Sequence, residues 1–135
     1  MAISTNTITQ EIYQIPDLLD DSEAIDEFLA KNIGKRVIVV QGLGFVGAVM
    51  SLVCANALTE EYAVIGIDLA NENTYWKIKS INIGIFPLIA DDPKIAEFFD
   101  NAKAKGNFLA TYDPVAYQYA DVIIVDINLD VQKQS

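Results

Sequence analysis

The chain has no histidine and only one cysteine, Cys54. The missing histidine removes the commonest general base and metal ligand. A single cysteine rules out an internal disulfide and suits a reducing, cytoplasmic compartment. Basic residues are scarce: nine Lys and Arg stand against 19 Asp and Glu, a formal net charge of −10. So acidic a chain is expected to bind neither nucleic acid nor an anionic membrane. No apolar run is long enough to span a bilayer, residues 45–58 being the longest candidate. No basic region precedes an apolar stretch at the N-terminus, so no signal peptide is expected.

What is present is a globular composition, 52% apolar and 21% charged over 135 residues. That is one domain, large enough to bury a core. Residues 36–68 organise it. An apolar β-branched run, Val37 to Val40, enters a glycine cluster at Gly42, Gly44 and Gly47. A helix-compatible segment occupies 45–58, and a second apolar run from Tyr62 ends in Asp68. Strand, glycine turn, helix, strand and acid come in the order of a dinucleotide-binding unit.

Each part has a physical task. Gly42 permits the tight turn out of the strand, Gly44 lets a pyrophosphate approach the backbone, and Gly47 lets the helix pack closely. The helix begins at the turn, so its free N–H groups and dipole face the phosphates. Asp68 lies about 20 residues beyond the last glycine, where an acid accepts from a ribose hydroxyl. The same charge disfavours a 2′-phosphate, so NAD is expected over NADP. The competing reading has the glycines serving packing alone and Asp68 capping the next segment. Cys54 sits among Leu52, Val53, Ala55 and Ala57 and reads as a buried apolar residue rather than a nucleophile.

Residues 1–34 read as an N-terminal arm and helix, and 35–135 as the dinucleotide-binding domain. The polar residues 1–10 look like a loose leader, with Ile12, Tyr13, Ile15, Leu18 and Leu19 docking as a short extended arm. Ser22 to Lys31 is an amphipathic helix, stopped near Gly34. Beyond Asp68, Thr74 is placed to cap a helix through Ser80, and Gly84 and Pro87 make the next segment irregular. Asp92 and Pro93 start a helix that Gly106 stops. Phe108 to Thr111 is a short strand, Asp113 caps a short helix, and a last strand runs from Asp121 to about Ile127, its valines and isoleucines expected to be buried. Alternating elements predict an α/β fold: a three-layer, Rossmann-like parallel sheet, partly doubly wound in the order 3-2-1-4, with an extra N-terminal helix. A complete domain of this kind has six strands; about four are recognisable, so the chain reads as a piece of something longer.

The turn Gly42-Leu43-Gly44-Phe45-Val46-Gly47, the Gly66-Ile67-Asp68 strand end, the Lys77, Ile81-Asn82, Gly84 and Pro87 block and the Ala120-Asp121 strand start resemble the N-terminal domain of the UDP-glucose/GDP-mannose dehydrogenase family. The resemblance covers 36–127. It implies NAD as cofactor and oxidation of the primary alcohol of a UDP- or GDP-hexose to a uronate, as in polysaccharide biosynthesis. It implies that the catalytic cysteine and most of the sugar-nucleotide site lie in a C-terminal portion this chain does not contain. No catalytic and no metal-binding residue is therefore assigned here. This chain alone is expected to bind cofactor without catalysing, and to meet the nucleotide sugar only in a full-length protein.

By the same match, Gly42, Gly44, Phe45, Val46 and Gly47 would line the pyrophosphate, Asp68 would hold the adenine ribose, and Lys77 would lie near the adenosine. Asn128 would replace a threonine that touches the cofactor. Two residues depart from the family pattern. Gln41 stands where an apolar residue is usual. Asp126 places a negative charge near the phosphates, which weakens NAD unless it faces away. Another Rossmann dehydrogenase, or a non-catalytic binding or assembly module, remains an alternative. The last strand is an apolar edge, so a homodimer is expected, the alternative being that the N-terminal arm and helix, Ile12 to Leu29, fold back and cover the gap within one chain.

Overall fold

A computed structural model describes residues 2–89 and 91–126. Asn128 and Ile127 lie outside the described residues.

The core is a parallel sheet of four strands: β3 (Arg36–Gln41), β4 (Tyr62–Ile67), β5 (Phe108–Thr111) and β6 (Val122–Val125). The order is β5-β4-β3-β6, the 3-2-1-4 arrangement expected. Register pairs Val37 with Ala63 and Val39 with Ile65 on one side of β3, and Val39 with Ile123 on the other. Alternation divides β3 between two cores. Ile38 and Val40 face α2 (Phe45–Ala55), α3 (Tyr75–Ile83) and α4 (Pro93–Lys105), meeting Leu52, Ile78, Ile81 and Phe99. Val37 and Val39 face the opposite layer, where α1 (Ser22–Lys31) contributes Ile25 and Phe28 and a 3₁₀ turn (Pro114–Tyr119) contributes Ala116. Helix, sheet and helix thus form three layers. Among the described residues no helix is long and apolar enough to cross a membrane.

Three local expectations change. The first ten residues are not a loose leader: β1 (Ile3–Thr5) and β2 (Ile12–Gln14) pair as an antiparallel hairpin. Asn6 is fully buried, and its side-chain oxygen accepts from the Ile8 and Thr9 N–H groups, supplying the turn without glycine. Ser4 ties the hairpin to α3, donating to the Glu72 carbonyl and accepting from the Trp76 N–H. The second change is α3, which runs past Ser80 to Ile83. It ends only where Gly84 turns left-handed at φ 93°. The third is β6, whose Val122, Ile123 and Val125 are 38%, 49% and 50% exposed rather than buried. Among the described residues the strand pairs with β3 on one side only, and none of them pairs along its other side.

Candidate dinucleotide site

All four strands are parallel, so their carboxyl ends share one rim of the sheet. The order reverses between β3 and β6, which opens a crevice at that rim. Three segments meet there: the turn after β3, Asp68 after β4 and Asp126 after β6.

The turn is built by close backbone contact. Gly42 has φ 104°, and its N–H donates to the Ile67 carbonyl at 2.8 Å. A Cβ on Gly47 would lie 2.0 Å from the Gly42 carbonyl oxygen. No side chain fits there, so α2 packs directly on the turn. A Cβ on Gly44 would meet nothing within 4 Å. The space over Gly44 is therefore open to a ligand. Phe45 and Val46 start α2 with their side chains 52% and 60% exposed. Helix geometry leaves their N–H groups without intrahelical acceptors.

Asp68 is anchored at both oxygens. Oδ2 accepts from the Leu43 N–H at 2.9 Å and Oδ1 from the Leu69 N–H at 2.8 Å. Capping and ligand binding are compatible here, since each carboxylate oxygen keeps a further lone pair. Asp126 faces the turn rather than away. Its Oδ2 accepts from the Gly47 N–H at 3.1 Å, and its backbone N–H donates to the Gln41 carbonyl. Gln41 itself continues the ladder opposite Ile67 and Val125, which accommodates its polar side chain on an exposed position.

Two clefts flank the turn, and Gly42, Asp68 and Asp126 border both. One, of about 400 Å³, is closed by Leu19, Tyr112 and Tyr117. The other, of about 480 Å³, holds Gly44, Phe45, Val46, Thr74 and Lys77. The structure thus brings Gly42, Gly44, Phe45, Val46, Asp68 and Lys77 to one site, with Gly47 packed beneath it. Lys77 is the basic residue among those lining either cleft. Its Nζ lies 5.9 Å from the Trp76 ring centroid.

Leu19, Thr74, Tyr112 and Tyr117 line the clefts without having been read from sequence as site residues. Leu19 comes from the segment before α1, outside any dinucleotide fingerprint. The two tyrosines come after β5, where parallel topology brings the chain back to the same rim. Burial first, and then the Asp68 charge, push the Tyr117 phenol above its ordinary value. It is therefore a neutral hydroxyl at pH 7. Cys54 lies within α2, half-buried against the core, with its thiol raised by burial. No group of three or more potential metal ligands occurs among the described residues.

No protein-family model and no curated protein matches the chain. Among solved structures it is similar to the crystal structure of NDP-N-acetyl-D-galactosaminuronic acid dehydrogenase from Methanosarcina mazei Go1, with a TM-score of 0.63 and 24% identity. The likeness covers 77% of this chain but 22% of that one. At such identity it establishes the fold, an α/β domain with a Rossmann-like parallel sheet.

Proposed function

We propose that this chain is the NAD-binding part of a nucleotide-sugar 6-dehydrogenase, an oxidoreductase that converts the primary alcohol of a UDP- or GDP-hexose to a uronate. The observation that carries the reading is the Asp68 carboxylate, fixed by the Leu43 N–H at the tip of an open glycine turn. The motif block from Lys77 to Pro87 and the fold shared with a protein named as an NDP-sugar dehydrogenase support the choice of reaction.

The residues fit the adenosine half of NAD. Two backbone N–H bonds orient the Asp68 carboxylate, so it meets ribose hydroxyls without losing side-chain freedom on binding. The open face of Gly44 and the Phe45 and Val46 N–H groups would receive the pyrophosphate. Lys77 would add one positive charge beside it. Bound NAD supplies a hydride acceptor; this chain's residues bind and orient. Histidine is lacking, and the only thiol, Cys54, lies within α2. The alcohol's activation therefore falls to groups beyond this chain, which alone would bind cofactor without turning over.

The test is calorimetric titration with NAD and NADP. Asp68 leaves no favourable place for a 2′-phosphate, so NAD should bind more tightly by about 1–3 kcal/mol, the scale of a charged hydrogen bond made or left unmade. Asp68→Asn should narrow the gap. Equal dissociation constants for the two cofactors in the unaltered protein would overturn the reading.

A further inference from the structure

Resting on that reading, the geometry points to Asp126 as a specificity-determining residue: its carboxylate takes a helix N–H that phosphate would otherwise compete for, and so limits the negative charge a ligand can bring to the site.

Three observations converge. The first is the bond itself, from the Gly47 N–H in the first turn of α2 to Asp126 Oδ2 at 3.1 Å. Helix N-termini attract anions because their N–H groups lack acceptors and the dipole is positive there. Here the chain provides its own anion. The second is fit. A Cβ on Gly42 would lie 3.3 Å from Asp126 Cβ, and one on Gly47 would lie 3.2 Å from Asp126 Oδ2. The carboxylate is seated on the glycine turn, and two side-chain-free positions make room for it. The Asp126 N–H bond to Gln41 extends the β6 register and fixes the backbone from which the side chain projects. The third is the local charge. Asp68 and Asp126 border both clefts, and Lys77 borders one. Two acids and one base leave the rim negative before any phosphate arrives.

A ligand that carries phosphate must then either displace the Asp126 carboxylate or sit beside it. The penalty grows with ligand charge and disappears for a nucleoside. Adenosine, engaged through Asp68, should be indifferent to Asp126. NAD, whose pyridinium offsets one phosphate charge, should suffer less than NADH or ADP.

The measurement is calorimetry with adenosine, NAD, NADH and ADP against the unaltered protein, Asp126→Asn and Asp126→Ala. Circular dichroism would establish that each variant is folded. Asn keeps an acceptor for Gly47 and removes the charge; Ala frees the N–H as well. Both should tighten ADP and NADH about tenfold, on the scale of one charge-assisted contact, tighten NAD less, and leave adenosine unchanged. Raising salt should shrink the difference between unaltered and Asn proteins. Equal or weaker ADP binding in both variants, with NAD still bound, would overturn the role of Asp126 and leave the cofactor assignment standing. A matching gain for adenosine would also overturn it, since the effect would then be steric. Failure of every protein to bind any of the four ligands would overturn both.

Discussion

Asp21 shows how one carboxylate can hold a fold together at a cost. Its Oδ2 accepts from the Thr111 hydroxyl at 2.6 Å, and its N–H donates to Asp113. The segment before α1 is thereby fastened to the end of β5. Burial raises the Asp21 carboxyl above its ordinary value, and the Thr111 bond and the Lys79 charge only partly offset that. A raised carboxyl favours folding below its unfolded value, and that contribution is lost as pH rises through the folded one. At neutral pH the ionised group therefore destabilises the protein. Asp21→Asn keeps an acceptor for Thr111 and should be more stable than the unaltered protein at pH 7. The advantage should vanish near pH 3, where both side chains are neutral. Melting temperatures of the two proteins across that range would check it; an advantage that grows in acid would refute it. At this scale the sequence was legible where chemistry depends on having no side chain. Gly42, Gly44 and Gly47 form the turn that the spacing predicts, and Asp68 follows the end of β4. The direction taken by Asp126 was not legible, because it depends on the register of β6 against β3 and on one rotamer.

Among the elements, α4 was the most readable. Asp92 accepts from the Lys94 N–H, Pro93 opens the helix and Gly106 closes it at φ 66°. The neighbouring α3 was less readable at its end: a stop at Ser80 is expected, yet the helix runs on to the Gly84 cap. The reason lies in Asn82. Its amide donates to the Ala110 carbonyl at 2.8 Å and accepts from the Ala110 N–H at 3.0 Å. One side chain reproduces the two bonds of a missing strand, so the helix must continue far enough to deliver it. Lys103 then donates to the Gly84 carbonyl, joining α3 to α4. Within the motif block that resembles a dehydrogenase family, Asn82 thus has a packing task away from the glycine turn, while Lys77 lines the cleft beside that turn. Asn82→Ala would strand both groups of Ala110 and should cost about 1–3 kcal/mol. Chemical denaturation should show this as a lower midpoint, with NAD affinity unaltered. An unchanged midpoint would count against the role.

For the whole molecule, topology was legible in the alternation of strands and helices, whereas the hairpin was not. Its pairing relies on an Asn6 turn and on Ser4 reaching α3, contacts that no periodicity encodes. The hairpin and α1 pack on α3 and the β5 side, and among the described residues none pairs with β6 along its outer edge. Val122, Ile123 and Val125 carry no charge there and include no proline to discourage pairing. We expect two copies to join through this edge. Light scattering at micromolar concentration should give twice the chain mass, and Ile123→Lys, at an exposed position, should restore the monomer. A monomer in the unaltered protein would exclude the pairing.

The two borders of the sheet are unlike. Asn82 already satisfies Ala110 on the β5 border, while among the described residues the β6 border has no partner strand. A body with two adhesive borders can add copies without end, as fibres do. A body with one is exhausted by a single partner related by a two-fold axis. Asn82 is therefore proposed as a terminator: if two copies pair through β6, removing it should not only loosen β5 but also turn that closed pair into one that can grow.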